Sequence, residues 1–379
     1  MIRRRQFGAL TRACASSLAA QSIALRRSHA AMPAGKNAFD IGRTEIRMTI
    51  GSHVYAGMVG ATWRSDGKRF AVSAAQDNAV YDLIEERKVT MLPRGHPVAY
   101  RSLYFVPGTD TLVMAGPVEN RPRDAKIALT LLDASTGAVI REVDGTIDYY
   151  APRPVLREPD CNAPIPGAAF DIANHLMLTV PTFGLSGMQI YDLRDWSVQV
   201  SPLSNYFQGA RCAFSPATTH LAISSSGNTV VFDRRTGGVV KALAVPVPSR
   251  PLSSVEALTE YKIKVLEFSP DGALLIVGSP AGGTIDVARH GLAYRTSDYS
   301  IVAVLGEGME YCAGMAFHPH QNLLALAGDN EVRVFQTPSF TQVGRKRLGI
   351  GEIDFLNFSP DGTSLIIGSA STLIVLTST

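Results

Sequence analysis

A phrase of the type aromatic-Ser-Pro-Asp-Gly recurs along this chain, and nothing else in the sequence constrains its fold as strongly. Two copies are intact: Phe268-Ser269-Pro270-Asp271-Gly272 and Phe358-Ser359-Pro360-Asp361-Gly362. Degenerate copies begin at Trp63, Phe105, Phe170, Phe214 and Phe317, so the seven anchors lie 42, 65, 44, 54, 49 and 41 residues apart. A period of this size marks one supersecondary unit repeated, each copy burying its apolar face against the next. Seven copies imply seven units.

Every unit follows the same local grammar. An apolar strand ends at the aromatic anchor, and Ser-Pro-Asp-Gly then turns the chain, because Pro presets φ and Gly accepts φ > 0. A second apolar strand follows, as in Leu274-Leu275-Ile276-Val277 or Leu365-Ile366-Ile367. A third ends in a large residue plus Asp: Tyr81-Asp82, Leu132-Asp133, Tyr191-Asp192 and Phe232-Asp233. Asp133-Ala134-Ser135-Thr136-Gly137 and Asp233-Arg234-Arg235-Thr236-Gly237 are one turn written twice, and each leads to a fourth, outer strand. No long segment of 3.6-residue periodicity interrupts the pattern. The expected fold is all-β: a seven-bladed β-propeller of four-stranded blades.

These residues resemble the WD-repeat propeller family. Ser73-Ala74-Ala75-Gln76-Asp77-Asn78-Ala79-Val80-Tyr81-Asp82 is similar to the family's second-turn and third-strand pattern, with Tyr in place of Trp. Gly95-His96 stands nine residues before Phe105, as the family's Gly-His stands before a blade, and Gly328–Phe335 and Gly227–Asp233 repeat the pattern. Gly-His occurs once and no blade ends in Trp-Asp, which leaves lactonase-like or quinoprotein-like propellers as neighbouring families. The resemblance implies that His53, Ser73, Asp77 and Tyr81 form a buried hydrogen-bonded network inside the first blade, with a structural role.

The chain ends just after the third strand of its last blade. A ring must close, because an open strand edge is costly and sticky. The missing strand is expected from Phe39–Ile50, which has no other place. Its alternation sets Ile41, Arg43, Glu45 and Arg47 on one side, with Thr44, Ile46, Met48 and Ile50 on the other.

Composition narrows the function classes. With 46% apolar and 18% charged residues the body is not disordered. No segment approaches the ~20 apolar residues of a spanning helix, so no membrane span is expected. The net charge of +3 comes from the N-terminus, where residues 1–30 hold six arginines and no acid, leaving 30 basic residues against 33 acidic in the rest. That body offers no basic face for nucleic acid. Arg3-Arg4-Arg5-Gln6-Phe7, an Ala/Ser/Leu stretch and Ser28-His29-Ala30 together form an export-signal pattern, and Arg4-Arg5-Gln6-Phe7 resembles a twin-arginine signal. The domain reading is a targeting segment over 1–30, a linker over 31–38 and the propeller over 39–379. A periplasmic or secreted address follows, with a mitochondrial or a cytoplasmic one as alternatives.

No hydrolase, phosphate-loop, zinc-protease or Cys-x-x-Cys motif is present, and no cofactor or metal is implied. His318-Pro319-His320 falls on the first turn of the sixth blade and is read as a solvated turn rather than a metal pair. Cys161, Cys212 and Cys312 are odd in number, and Cys212 and Cys312 read as small core residues. Insertions are more telling. Strands 4→1 and 2→3 connect on one face of a propeller, here called the top, and the long connections near 145–166, 244–262, 116–124 and 181–187 all belong to it. Loops of this kind on a rigid scaffold commonly carry binding. The first holds Tyr149, Tyr150, Arg153 and Arg157, residue types enriched in interface hot spots, and Arg211 leads the inner strand of the fourth blade. The reading is a monomeric, non-enzymatic recognition propeller for a protein or peptide. The alternative is a periplasmic propeller enzyme with its site at the central channel, for which Glu307, Glu310 and Asp148 are the acids in top loops.

Overall fold

The computed structural model describes residues 39–51, 58–74, 78–93, 103–115, 127–144, 167–171, 174–180, 189–199, 211–225, 228–243, 265–278, 291–309, 314–351, 353–369 and 371–379. They form seven antiparallel sheets of four strands each, a seven-bladed β-propeller. Blades 1 to 6 span 58–91, 103–144, 167–199, 211–243, 265–305 and 314–347, each with its strands in sequence order. Blade 7 takes three strands from 353–378 and its fourth from Thr44–Gly51. First strands of successive blades touch one another, so they make the inner ring and the fourth strands the rim.

Turn chemistry explains the blade pattern. Each third strand that ends in Asp uses that carboxylate to hold the following turn: Asp133 Oδ1 accepts from the N–H groups of Ser135 and Thr136, and Asp233 Oδ1 from those of Arg235 and Thr236. These bonds hold the Asp133 carboxyl down at about 2, the Ser135 hydroxyl contributing most. On the first turn the Ser after the anchor plays the matching part. Ser215 Oγ accepts from Ala217 N and Thr218 N, while Ser269 Oγ and Ser359 Oγ accept from Leu274 N and Ser364 N.

The core is divided among the blade interfaces. Seven apolar clusters occupy the seven junctions between neighbouring blades, blade 7 against blade 1 included. Within the second strand of blade 5, Leu275 and Val277 face blade 4 and Leu274 and Ile276 face blade 6. Both faces of that strand are dry, which is why Leu274–Gly278 and Leu323–Gly328 read as unbroken apolar runs, and why Leu365, Ile366 and Ile367 follow one another within Ser364–Ser369. Each fully buried aliphatic side chain contributes ~1.5–3 kcal/mol. The rim strands differ. Met91, Ile140, Val198, Val239, Val304, Val343 and Ile46 are exposed there, one or more per blade. Register shifts between the third and fourth strands of six blades twist those edges, a device that discourages edge-to-edge pairing.

Ring closure is a three-blade clasp. Thr44–Gly51 runs antiparallel to Thr372–Ser378, from Thr44 opposite Ser378 to Gly51 opposite Thr372. Ahead of it, Asp40 caps a 3-10 turn (Ile41–Arg43), its Oδ1 accepting from Gly42 N at 2.9 Å. Ile41 is buried in the blade 6–7 core, so close to Gly344 that a Cβ there would lie 2.6 Å from Ile41 Cγ2. Lys346 Nζ of blade 6 donates to Thr44 O, and Arg47 Nε pairs with Glu86 of blade 1 at 2.8 Å.

The strand's expected two-sided alternation is corrected by a bulge. Register shifts between Ile46 and Met48, leaving Arg47 as the extra residue. Ile46 therefore lies opposite Leu376, which belongs to the blade 6–7 core, while Met48 and Ile50 lie opposite Val375 and Leu373 and pack into the blade 7–1 core. One inserted residue switches the face of everything beyond it. Ile46, set before the switch, is 52% exposed.

Candidate functional site

The first strands offer one equivalent position per blade, the residue before each anchor, which faces the next blade: Ala213 packs in the blade 4–5 core and Ala316 in the blade 6–7 core. The residue before each anchor is Thr62, Tyr104, Ala169, Ala213, Glu267, Ala316 or Asn357. Two of them perform the same task. Thr62 Oγ1 accepts from the backbone N–H of the next blade's anchor, Phe105, at 3.3 Å, and the Glu267 carboxyl accepts from that of Phe317. A hydroxyl does this without charge; a carboxyl must be desolvated. Burial pushes Glu267 up to about 8, only partly opposed by the Phe317 hydrogen bond. Glu267 was not singled out from sequence, because its partner comes from a different blade.

Arg211 opens the first strand of blade 4 (Arg211–Phe214), as expected, half-buried and opposite Ser224. Next to it Cys212 is a buried free thiol, raised to about 12 by desolvation. Tyr149, Tyr150, Arg153 and Arg157 lie outside the described residues, as do Asp148, Glu310, Cys161 and Cys312. Of the four network residues in blade 1, His53 and Asp77 also lie outside them. Ser73 is buried opposite Gly60, and the Tyr81 ring stacks on Phe70 at 5.6 Å.

Glu307 is exposed on the short connection from blade 5 to blade 6, where its backbone rather than its carboxyl is engaged. Arg333 Nη1 donates to Glu307 O at 2.9 Å and Nη2 to Gly308 O at 3.1 Å, with Nε on the buried Glu331. On this side of the ring the connections are short: Gly328 to Glu331, Arg347 to Ile353 and Ser369 to Thr372. The strands of blades 2 to 5 are joined on the same face by the longer stretches 116–126, 145–166, 200–210, 244–264 and 279–290.

His318-Pro319-His320 does form the first turn of blade 6, but the expectation of a solvated turn is corrected for His318, which is 2% exposed. Its Nδ1 accepts from His320 N at 3.1 Å and Gln321 N at 3.0 Å, the bonds that Ser215 Oγ makes in blade 4. With Nδ1 accepting, Nε2 carries the proton and donates to Gly362 O of blade 7 at 3.0 Å. His320 Nε2 reaches Pro360 O at 2.8 Å. Among the described residues no group of three or more His, Cys, Asp or Glu is placed to hold a metal ion, and no helix is long and apolar enough to cross a membrane.

No protein-family model matches this sequence, and no curated protein matches it either.

Proposed function

We propose that this chain is an exported recognition propeller of WD-repeat-like type, which binds a protein or peptide through the long connections of blades 2 to 5. The observation that supports this reading is the division of the ring. Blades 6 and 7 are held by a clasp and short, internally bonded connections, while most of the long connections join the strands of blades 2 to 5. Rigid support under long loops is the arrangement from which binding surfaces are built. Tyr149, Tyr150, Arg153 and Arg157 are the anchors in this reading, together with Arg211 on the inner ring. The twin-arginine-like pattern at Arg4-Arg5 sends the chain to the periplasm or beyond.

The test is co-purification from the producing cell with the intact protein and with a Tyr149→Ala/Tyr150→Ala/Arg153→Ala/Arg157→Ala variant. A partner retained by the first and lost by the second, at equal melting temperature, supports the reading; identical partners in both overturn it. The recovered N-terminus tests the address, since a chain still beginning at Met1 would count against export. A second reading, an enzyme working at the channel, draws support from Glu267 alone, a carboxyl raised to about 8 on the inner ring. A divalent ion held stoichiometrically by the purified protein would favour that reading.

A further inference from the structure

In six of the blades the residue after the aromatic anchor is Arg64, Val106, Asp171, Ser215, Ser269 or Ser359; in blade 6 it is His318. The serines hold their turns with a hydroxyl, which accepts hydrogen bonds at any pH. An imidazole accepts only while one ring nitrogen is bare. His318 therefore fills the serine's role with a group that can lose it.

What rests on that ring makes the loss consequential. Phe39, the first residue of the N-terminal clasp, lies against His318 with ring centroids 5.9 Å apart, and edge-on to Phe358 at 5.0 Å. The Phe39 N–H donates to Oε1 of Gln321 at 3.2 Å, and Gln321 is held in turn by His318 Nδ1. On its other side the imidazole sits on Gly362 (φ +74°), where a Cβ would lie 2.3 Å from His318 Cε1. One side chain thus joins the blade 6 turn, the blade 7 turn and the start of the closing strand.

We propose that His318 is an acid-sensitive latch: protonation of its Nδ1 releases residues 39–51 from blades 6 and 7 and opens the ring at its closure. The step takes one proton from solvent and makes or breaks no bond between heavy atoms. Nδ1–H then faces the two N–H groups it had accepted from, so the ring must swing away, and Phe39 and Gln321 lose their support. The titratable groups facing it are His320 on its own turn, which opposes a second positive charge, and Asp361 on the blade 7 turn, which favours one. The Asp361 carboxylate is occupied by the Ser359 hydroxyl and by Thr363. From the clasp, the Phe39 ring is what meets the imidazole. Burial is the largest influence and lowers His318 from 6.5 to about 4. The sign follows directly. The latch is fully closed above about 6.5, and the open form gains roughly tenfold per pH unit as pH falls from there towards about 4.

Hydrogen exchange of the 44–51 amides between pH 7 and pH 4, corrected for intrinsic rates, tests this, with the Leu274–Gly278 amides as internal reference. In the intact protein the clasp amides should open steeply with acid while the reference does not. His318→Ser, the residue of blades 4, 5 and 7, should raise clasp opening at neutral pH and abolish its pH dependence. A flat profile in the intact protein, or an equally steep one in His318→Ser, overturns the latch. If the variant does not fold, nitrogen resonances of His318 in the intact protein decide alone. A neutral Nε2–H ring down to about pH 4 supports the latch, and titration near 6.5 overturns it.

Discussion

Glu267→Gln should make the protein more stable, although the substitution removes the only carboxyl among the residues that precede the anchors. The side chain accepts from Phe317 N–H, and an amide oxygen can do the same with no charge to desolvate. In the folded chain the carboxyl is raised from 4.5 to about 8, so it stays protonated at neutral pH, while in the unfolded chain it ionises freely. For a group raised on folding, its stabilising contribution is complete below about 4.5 and is lost as pH rises through about 8. At pH 7 the folded state holds a proton that the unfolded state has released, over a gap of about 2.5 pH units, which costs about 3 kcal/mol. That is an upper limit, because Glu267 is half-buried rather than sealed from water. The assay is thermal or denaturant unfolding of both proteins from pH 4.5 to pH 9. The stabilities should coincide near pH 4.5, diverge by up to ~1.4 kcal/mol per pH unit, and run parallel above about pH 8. For a ring of this size each kcal/mol shifts Tm by roughly 1–2 °C, so the gap is measurable. A stability difference that stays constant across pH, or a variant less stable at pH 8 than the intact protein, would refute the desolvation argument.

Removing residues 39–51 should leave Thr372–Ser378 as an open edge and strip Met48 and Ile41 from two cores; size-exclusion chromatography should show self-association, and an intact-like melt of a monomeric variant would contradict the clasp. Cys212, buried and raised to about 12, should resist a maleimide at pH 7 until denaturant is added, read by peptide mass; rapid labelling of the folded chain would place the thiol at the surface instead.

Blade number, strand order and the closing strand were legible because their chemistry is local and repeated. Ser, Pro, Asp and Gly in one turn, and Asp before Thr-Gly in the other, specify each unit without reference to its neighbours. What escaped depends on contacts between units. Leu266-Glu267-Phe268 reads as one polar residue between two core residues, and nothing nearby announces that an N–H from blade 6 will meet the carboxyl. The bulge at Arg47 is invisible for a related reason. Alternation continues unbroken along the sequence, and only the partner strand shows where it slips. His318 is the instructive miss. The signal was present, since it aligns with Ser215, Ser269 and Ser359, but reading the turn as solvated hid the imidazole's use as a turn acceptor. The loop anchors Tyr149 to Arg157 rest on residue type and connection length alone.

The strand that completes blade 7 is made before blades 1 to 6, and its partner only after them. Throughout synthesis, blades 1 to 6 can collapse one upon another while Thr44–Gly51 waits without a mate, its apolar residues bare. Closure therefore has to wait for Thr372–Ser378, and any helper that shields the nascent chain has to keep Thr44–Gly51 available until that partner has been made. A route that moves the chain only after it has folded would inherit that schedule, carrying the ring as a completed object or not at all.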